Sequence, residues 1–489
     1  MKLSCAPSLD KREPADLIVL PFWQDASEGT HFKKIVGSAI SSGDFKGKLG
    51  EGALFYLEKE KEPRLLLLGL GEKEKSMPES LRRAFSNAVK TAQGKKAKSV
   101  NIILPELKTL SKPELAQAVF EGILLTNYAF ISLKGDSLKE NPVVLLEKIS
   151  FIGLDKKDLA SLDEVETIAR GVYLVRELVN GNADDVTPKM LADTAKSFEK
   201  TSPKIKTTIF DKKKLEQEGF GLILAVSRAS SADPYLIQVS YKGAHRSKEH
   251  IVLVGKGVTY DTGGLSLKPT DNMLTMKCDM SGAATVLGAV QTAAALGLKV
   301  NVTALVPTVE NAIGSRSYKL GDVYKSYSGK TVEINNTDAE GRLILADALS
   351  FAAKNLKPTC MIDIASLTGA AVVALGEELS ALFANDESLS KDLLAASEKT
   401  GELIWRLPLH PGYKESLKSE IGDLINTSGR DAGSMKAALF LQEFTANVPW
   451  AHIDFAGPCY LTKPKYYNPV KGTGYGLRLF IDFLKKRSV

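Results

Sequence analysis

The sequence predicts an α/β protein of two domains: a smaller N-terminal α/β domain and a larger C-terminal α/β/α doubly wound catalytic domain. Three observations carry that prediction. With 489 residues the chain is too long for one hydrophobic core and suits two or three domains. Short apolar or β-branched runs alternate with longer helical stretches along its length, the pattern of parallel sheets with crossover helices. In the second half, acidic residues and glycines gather at strand-to-helix connections, where open α/β sheets place their ligands.

Composition narrows the function classes. The net charge is +6, from 64 basic and 58 acidic residues. Residues 1–150 carry 23 basic against 19 acidic side chains, so neither half has a strong nucleic-acid footprint. The four cysteines, Cys5, Cys278, Cys360 and Cys459, are far apart and form no C-x-x-C pair. That spacing suggests neither a disulfide framework nor a thiolate zinc site, and it fits a reducing compartment. The first residues lack an apolar run of signal-peptide length, and no apolar stretch reaches about 18 residues. A cytoplasmic protein without a membrane span is expected.

In the N-terminal domain, residues 1–160, strands are predicted at Ala15–Pro21, Pro63–Gly71 and Ser99–Leu104. Helices are predicted at Pro78–Gln93 and Ser111–Phe130, with Ser111 as cap and Pro113 in the first turn. The implied sheet is small and parallel. Gly69-Leu-Gly71 is a plain turn rather than a nucleotide fingerprint. Residues 135–160 are mixed and charged and mark a boundary. A connecting helix from about Ser161 to Asn180 lies in a linker spanning 161–185, and the catalytic domain follows over 186–489. Thr187-Pro188 starts its first helix, placing proline where its missing N–H matters least. Strands are predicted at His250–Val254, Val300–Val306, Cys360–Ile364 and His452–Phe455. Helices are predicted near Gly282–Leu296, Leu343–Asn355 and Ser434–Ala446.

Two stretches carry chemistry. In the first, Thr331–Ile334 reads as a strand end, and Asn335-Asn336 breaks it before Asp338-Ala-Glu340-Gly341-Arg342. In extended backbone, Asp338 and Glu340 point to one side. Gly341 removes a Cβ where something must come close. Arg342 adds a fixed cation. Taken alone, the acid pair fits a helix N-terminus with favourable dipole charge better than it fits a site. The second stretch follows the His250 strand and holds Lys256, Asp261 and Lys268 among Gly255, Gly257, Gly263 and Gly264, with Asp279 just beyond. Four carboxylates gathered on one domain repel one another, and Lys256, Lys268 and Arg342 are three cations against four acids. Divalent metal is the simplest compensation. The five histidines (His31, His245, His250, His410 and His452) lie outside these loops, so the donors are oxygens with at most a lysine nitrogen. Such a set suits zinc, manganese or magnesium. Lysine ligates only as the neutral amine, which burial beside a cation favours. Paired metals held by acids are a hydrolase layout. Lys256 and Lys268 also fit solvated loop positions, and Met273 and Met276 fit a core.

Together these residues resemble the leucyl aminopeptidase family of cytosolic di-metal aminopeptidases. Its signature Asn-Thr-Asp-Ala-Glu-Gly-Arg-Leu stands intact at Asn336–Leu343, and Val254–Pro269 with Met276–Ala284 matches closely. Further likeness runs through Arg176–Pro188, Asp363–Ala370, Gly429–Phe444 and His452–Gly457, covering most of residues 165–489. The N-terminal domain resembles the family only in its general α/β pattern. The resemblance implies release of N-terminal amino acids, preferably leucine-like, by a metal-activated water.

The residue roles also follow from the resemblance. It implies two divalent metal ions per subunit, Mn2+ or Zn2+. Asp261 and Glu340 would bridge them, Lys256 and Asp279 would complete one site, and Asp338 would complete the other. Lys268 would stabilise the oxyanion, and Asp279 would take the substrate amine. Arg342 would hold a bicarbonate general base. Met276, Ser366 and Gly369 would line the pocket for the first side chain. The family is homohexameric. Tyr260, Thr262, Ser366 and Leu320 stand where the family usually has phenylalanine, serine, threonine and proline. The rival reading is a DNA-binding regulatory protein on the same fold, against which the modest charge of the first 150 residues weighs.

Overall fold

A computed structural model describes residues 1–24 and 32–488; His31 lies outside them. The chain divides into two compact units, Met1–Arg170 with Lys463–Val470, and Gly171–Thr462 with Lys471–Val489.

Among the described residues, the first unit holds a six-stranded sheet. Its strands are β1 (Lys2–Ala6), β2 (Leu17–Phe22), β3 (Gly52–Tyr56), β4 (Arg64–Gly69), β5 (Ser99–Ile103) and β6 (Lys148–Ile152), in the order β1-β6-β5-β2-β4-β3. The predicted all-parallel sheet is corrected at one edge, where β3 runs antiparallel to β4. Three strands escaped the sequence reading. β1 and β3 are short half-buried runs at the two edges. β6 lies in the charged stretch expected to be a boundary, yet its Ile149, Phe151 and Ile152 are buried between β1 and β5. The Lys112–Thr126 helix starts as expected: Ser111 and Glu114 exchange a capping box, with the Ser111 N–H donating to Glu114 Oε2 at 2.8 Å. Lys463–Val470 belongs to this unit, with Arg83 stacked 4.0 Å from the Tyr466 ring and the Tyr467 hydroxyl donating to Glu79 at 3.2 Å.

The second unit continues with β7 (Ile205–Phe210), β8 (Tyr235–Lys242), β9 (Ile251–Gly255), β10 (Gly257–Asp261), β11 (Asn301–Asn311), β12 (Val323–Lys325), β13 (Thr331–Glu333), β14 (Cys360–Ala365), β15 (Ser380–Ala384), β16 (Ile404–Arg406), β17 (Leu424–Ile425) and β18 (Trp450–Asp454). The main sheet runs β16-β15-β18-β14-β9-β11-β8-β7, with β10 paired to β11. Its centre, β18-β14-β9-β11, is parallel; β15, β8 and β7 turn it mixed. The four predicted strands are that parallel centre. They are nearly all-apolar runs because both faces are covered.

Helices close both faces. On one, Val252, Val254, Met361 and Trp450 share a core with residues of the Gly221–Ser227, Glu340–Phe351 and Gly433–Gln442 helices. On the other, the Ser281–Ala295 helix comes so near β9 that a Cβ on Gly255 would meet the Gly282 carbonyl oxygen at 2.3 Å. β12, β13 and β17 form a separate three-stranded sheet leading into the Asp338 segment.

Candidate active site

The site grows from the C-terminal ends of the central strands. Lys256 follows β9 directly, its N–H donating to the Ile364 carbonyl at 3.2 Å and its carbonyl accepting from Ala283 at 2.8 Å. Asp261 ends β10, past an irregularity in the pairing register with β11. It sits opposite Asn311, whose side-chain amide donates to Asp261 Oδ1 at 2.8 Å and to the Thr337 carbonyl at 3.1 Å. The Gly263 N–H also donates to Asp261, at 2.9 Å. At Gly263, φ is +84° and a Cβ would stand 2.9 Å from Asp338 Oδ1, so the turn demands glycine. Asp279 lies one residue before the buried Met280, which precedes the Ser281–Ala295 helix.

Asp338 and Glu340 converge, but not by extended backbone. The helix predicted from Leu343 starts three residues earlier, at Glu340. Asp338 belongs to the turn before it, and Glu340 projects from the first helical turn. The hydrophobic spacing that begins at Leu343 hid this, because the preceding turn is polar and faces the site. Carboxylate oxygens of Asp261, Asp338 and Glu340 all fall within 4.8 Å of one another. Lys256 Nζ lies 2.7 Å from Asp279 Oδ2 and 2.8 Å from Glu340 Oε1, and it donates to the Ser366 carbonyl at 3.1 Å. Lys268 Nζ lies 2.9 Å from Asp261 Oδ2 and 2.5 Å from Asp338 Oδ1. A Cβ on Gly341 would come within 2.4 Å of Lys256 Cε, which identifies the group that glycine admits.

Electrostatics follow from this crowding. Burial, then the charge of Glu340, raises the pKa of Asp261 and, after the opposing pull of Lys256, that of Asp279. Asp338 is raised by the same two causes. Burial raises Glu340 too, but Lys256 and Lys268 outweigh it and the group lies below its ordinary value. Burial pulls Arg342 down to about 10. Two lysines therefore do not neutralise four acids. Glu340 Oε2 is buried without a hydrogen-bond partner, whereas the buried Asp279 Oδ2 has the Lys256 ammonium at 2.7 Å. A set of four carboxylates and one amine, with a buried oxygen left over, suits hard or borderline divalent cations.

Arg342 stands apart from the acids. Its Nη1 donates to the Asn426 carbonyl at 2.8 Å, and its buried Nε has no partner. Ser366 Oγ donates to Asp279 Oδ1 at 2.7 Å. Met276 is half-buried, and Gly369 starts a helix capped by Thr368. Sequence reasoning missed the supports. Asn426 accepts from the N–H groups of Asn335 and Asn336 at 2.8 and 3.2 Å and donates to the Asn336 carbonyl at 2.6 Å. Thr337 accepts from the Ser266 N–H at 2.7 Å, and Tyr318 Oη donates to its carbonyl at 2.6 Å. Thr337 lies inside the signature and could have been singled out; nothing local marks Asn426, which comes from 90 residues away.

Residues 173–481 match the family model for the catalytic domain of the cytosol aminopeptidase family, and residues 24–137 match the model for that family's N-terminal domain. The chain belongs to the cytosol aminopeptidase family. Its N-terminal part thus shares more with the family than the general pattern read from sequence. A probable cytosol aminopeptidase of Protochlamydia amoebophila is 49% identical over 496 residues, covering 100% of this chain and 99% of that one. A probable cytosol aminopeptidase of Chlamydia abortus is 44% identical, covering 98% of both. Among solved structures, a mutant of tomato leucine aminopeptidase superposes with a TM-score of 0.89 at 31% identity, covering 99% of this chain and 96% of that one. The bottromycin maturation enzyme BotP in complex with Mn superposes with a TM-score of 0.86 at 31% identity, over 97% and 100% of the two chains. As a cytosol aminopeptidase family member the protein is a hydrolase of the exopeptidase class, an aminopeptidase, and the two-domain α/β fold is that of the family. No helix among the described residues is long and apolar enough to cross a membrane.

Proposed function

We propose that the protein releases leucine-like residues from the amino termini of peptides in the cytoplasm, using two divalent cations, Mn2+ or Zn2+. Lys256, Asp261, Asp279, Asp338 and Glu340 would hold them. The observation that carries this reading is the convergence of Asp261, Asp338 and Glu340 within 4.8 Å, with the buried Glu340 Oε2 left unpartnered. Bound there, the cations supply Lewis-acid polarisation of the peptide carbonyl and an acidified water.

The chain's own residues do the rest. Asp279, fixed by Ser366 Oγ, receives the substrate's free amine, which restricts cleavage to the terminal residue. Lys268, drawn in by Asp261 and Asp338, presents a cation to the oxyanion as charge develops. Arg342 has an unused buried donor in Nε and would hold a bicarbonate ion, which would supply a general base. Met276, Ser366 and Gly369 line the pocket for the first side chain, and such an apolar pocket discriminates modestly among aliphatic residues. Residues 1–160 serve oligomerisation or regulation of a homohexamer, with 161–185 as connecting helix and 186–489 as the catalytic part. No specific observation favours the DNA-binding alternative.

Hydrolysis of leucine anilide by the purified protein tests the reading, before chelation, after chelation, and after adding manganese or zinc. Activity that requires metal, a free amine and Asp338 supports it. A folded, metal-loaded protein that cleaves the N-acetylated substrate equally well, or an Asp338→Ala variant of full activity, overturns it.

A further inference from the structure

A second cavity in the catalytic unit, of about 340 Å3, has no part in the chemistry above. Its lining includes Lys212, Glu216, Leu224, Arg228, Arg316 and Tyr324. The size lies within the range of small-molecule sites. Its charges are arranged unevenly. Lys212 is paired with Asp233 at 3.6 Å. Arg228 donates to the Tyr324 hydroxyl, and neither Arg228 nor Arg316 pairs with an acid among the described residues; Glu216 likewise meets no cation there. Beside the Lys212–Asp233 pair, two guanidinium groups and the Glu216 carboxylate thus line the same cavity, with an apolar wall of Leu224 and Ala225. Guanidinium groups bind a carboxylate through two parallel hydrogen bonds, and a carboxylate binds ammonium. The complement of that set is a zwitterion with a short apolar side chain.

The cavity also backs onto the catalytic loop. Arg316 and Tyr324 flank Tyr318, whose hydroxyl holds the Thr337 carbonyl at 2.6 Å, next to Asp338. Across the cavity, Ser230 donates to Glu310, the neighbour of Asn311, and Asn311 holds Asp261 at 2.8 Å. Gly314 packs on Ala229, where a Cβ would meet the Ala229 carbonyl at 2.9 Å. A ligand joining Arg228 to Arg316 therefore ties the 227–234 segment to the loop that supports Asp261 and Asp338.

We propose that this cavity binds a free aliphatic α-amino acid, the product class of an aminopeptidase, with its carboxylate on Arg228 and Arg316 and its ammonium on Glu216, and that occupancy lowers turnover through the 312–322 loop. Differential effects on two loop arrangements are all that such coupling requires.

The test uses the full metal-loaded protein with L-leucine as inhibitor of peptide hydrolysis, and thermal shift as a readout independent of turnover. In the native protein L-leucine is expected to lower kcat as well as raise KM, and to raise the melting temperature. In an Arg228→Ala/Arg316→Ala variant, kcat and KM without leucine stay as they were. The effect of leucine on kcat then needs at least ten times the concentration, so at the concentrations that lower native kcat the variant shows only the rise in KM. Glu216→Gln weakens the same effect. 3-Methylbutylamine, 4-methylpentanoate and inorganic phosphate leave kcat unchanged. Purely competitive inhibition in both proteins, with equal thermal shifts, overturns the proposal. So does a loss of kcat with phosphate alone, which makes the cavity a simple anion site.

Discussion

At the scale of single residues, the site depends on close approach more than on any one bond. Gly341 is the sharpest case, because the Lys256 side chain fills the space its Cβ would take, down to 2.4 Å from Cε. Gly341→Ala leaves the helix intact, since alanine favours helix and Gly341 lies inside it. It forces Lys256 away from Glu340 and Asp279. We expect a fall in kcat of roughly 10²-fold, the scale of an ångström's misplacement at a reacting centre. The melting temperature should stay within a few degrees of native, and a variant of native activity would show that the lysine can shift without consequence. Asn311→Ala tests the support beneath. It removes donors to Asp261 and to the Thr337 carbonyl, both buried, and leaves Asp261 Oδ1 with the Gly263 N–H alone while Lys268 stays on Oδ2. Weaker metal retention during dialysis is expected, by about 10–100-fold in affinity, the usual cost of losing a group that orients a ligand. Metal content after dialysis measures it.

At the scale of elements, how far the sequence could be read depends on how local each cause is. The parallel centre of the large sheet was legible because β9, β11, β14 and β18 are buried on both faces and are rich in apolar and β-branched residues. The acids were legible because glycine and carboxylate cluster within a few residues of one another. β7, β8 and β15 were not, because their alternation is diluted by threonine, glutamine or alanine, and they find their place only through partners far along the chain. The start of the Glu340–Phe351 helix was missed for a related reason. Its anchoring comes from Asp347, which accepts from the N–H groups of Leu222 at 2.9 Å, Ile223 at 3.0 Å and Tyr327 at 2.7 Å. Asp347 thereby ties that helix to the Gly221–Ser227 helix and to the turn after β12. Asp347→Asn places an amide donor against one of those N–H groups. The expected cost is about 1–3 kcal/mol in urea unfolding, the penalty for a buried polar group left unsatisfied. Burial pushes Asp347 up to about 7 from 3.8, against the pull of the three N–H groups. A carboxyl raised in the folded state holds its proton when the unfolded chain has released it. Its contribution is therefore fully present below the unfolded value and is lost as pH rises toward 7. The native protein should lose stability between about pH 4 and pH 7 relative to the variant, and the gap between the two should narrow. A gap independent of pH would show that Asp347 is ionised throughout.

At the scale of the whole molecule, the catalytic unit holds a concentration of charge that the N-terminal unit does not. Among the described residues, the one group of carboxylates able to hold a metal lies in the catalytic unit. Four acids and two lysines share a buried centre, and three of the acids are pushed toward protonation by burial and by Glu340. Cations bound there would relieve that repulsion and so stabilise the folded catalytic unit, which holds the centre. Mass action sets the size: at a free metal concentration of about 100 times the dissociation constant, one site adds about 2.7 kcal/mol. For a unit of this length, that is a shift of roughly 4 °C in the midpoint. Calorimetry of the chelated and the reconstituted protein should show one transition moving by that amount with manganese or zinc and a second that stays. Asp261→Asn, which removes a carboxylate charge from the centre, should raise the midpoint of the chelated protein while shrinking the shift on adding metal, because the same repulsion drives both effects. If the chelated midpoint falls instead, the acids are held mainly by Lys256 and Lys268, and the two lysines rather than the cations set the stability of the centre.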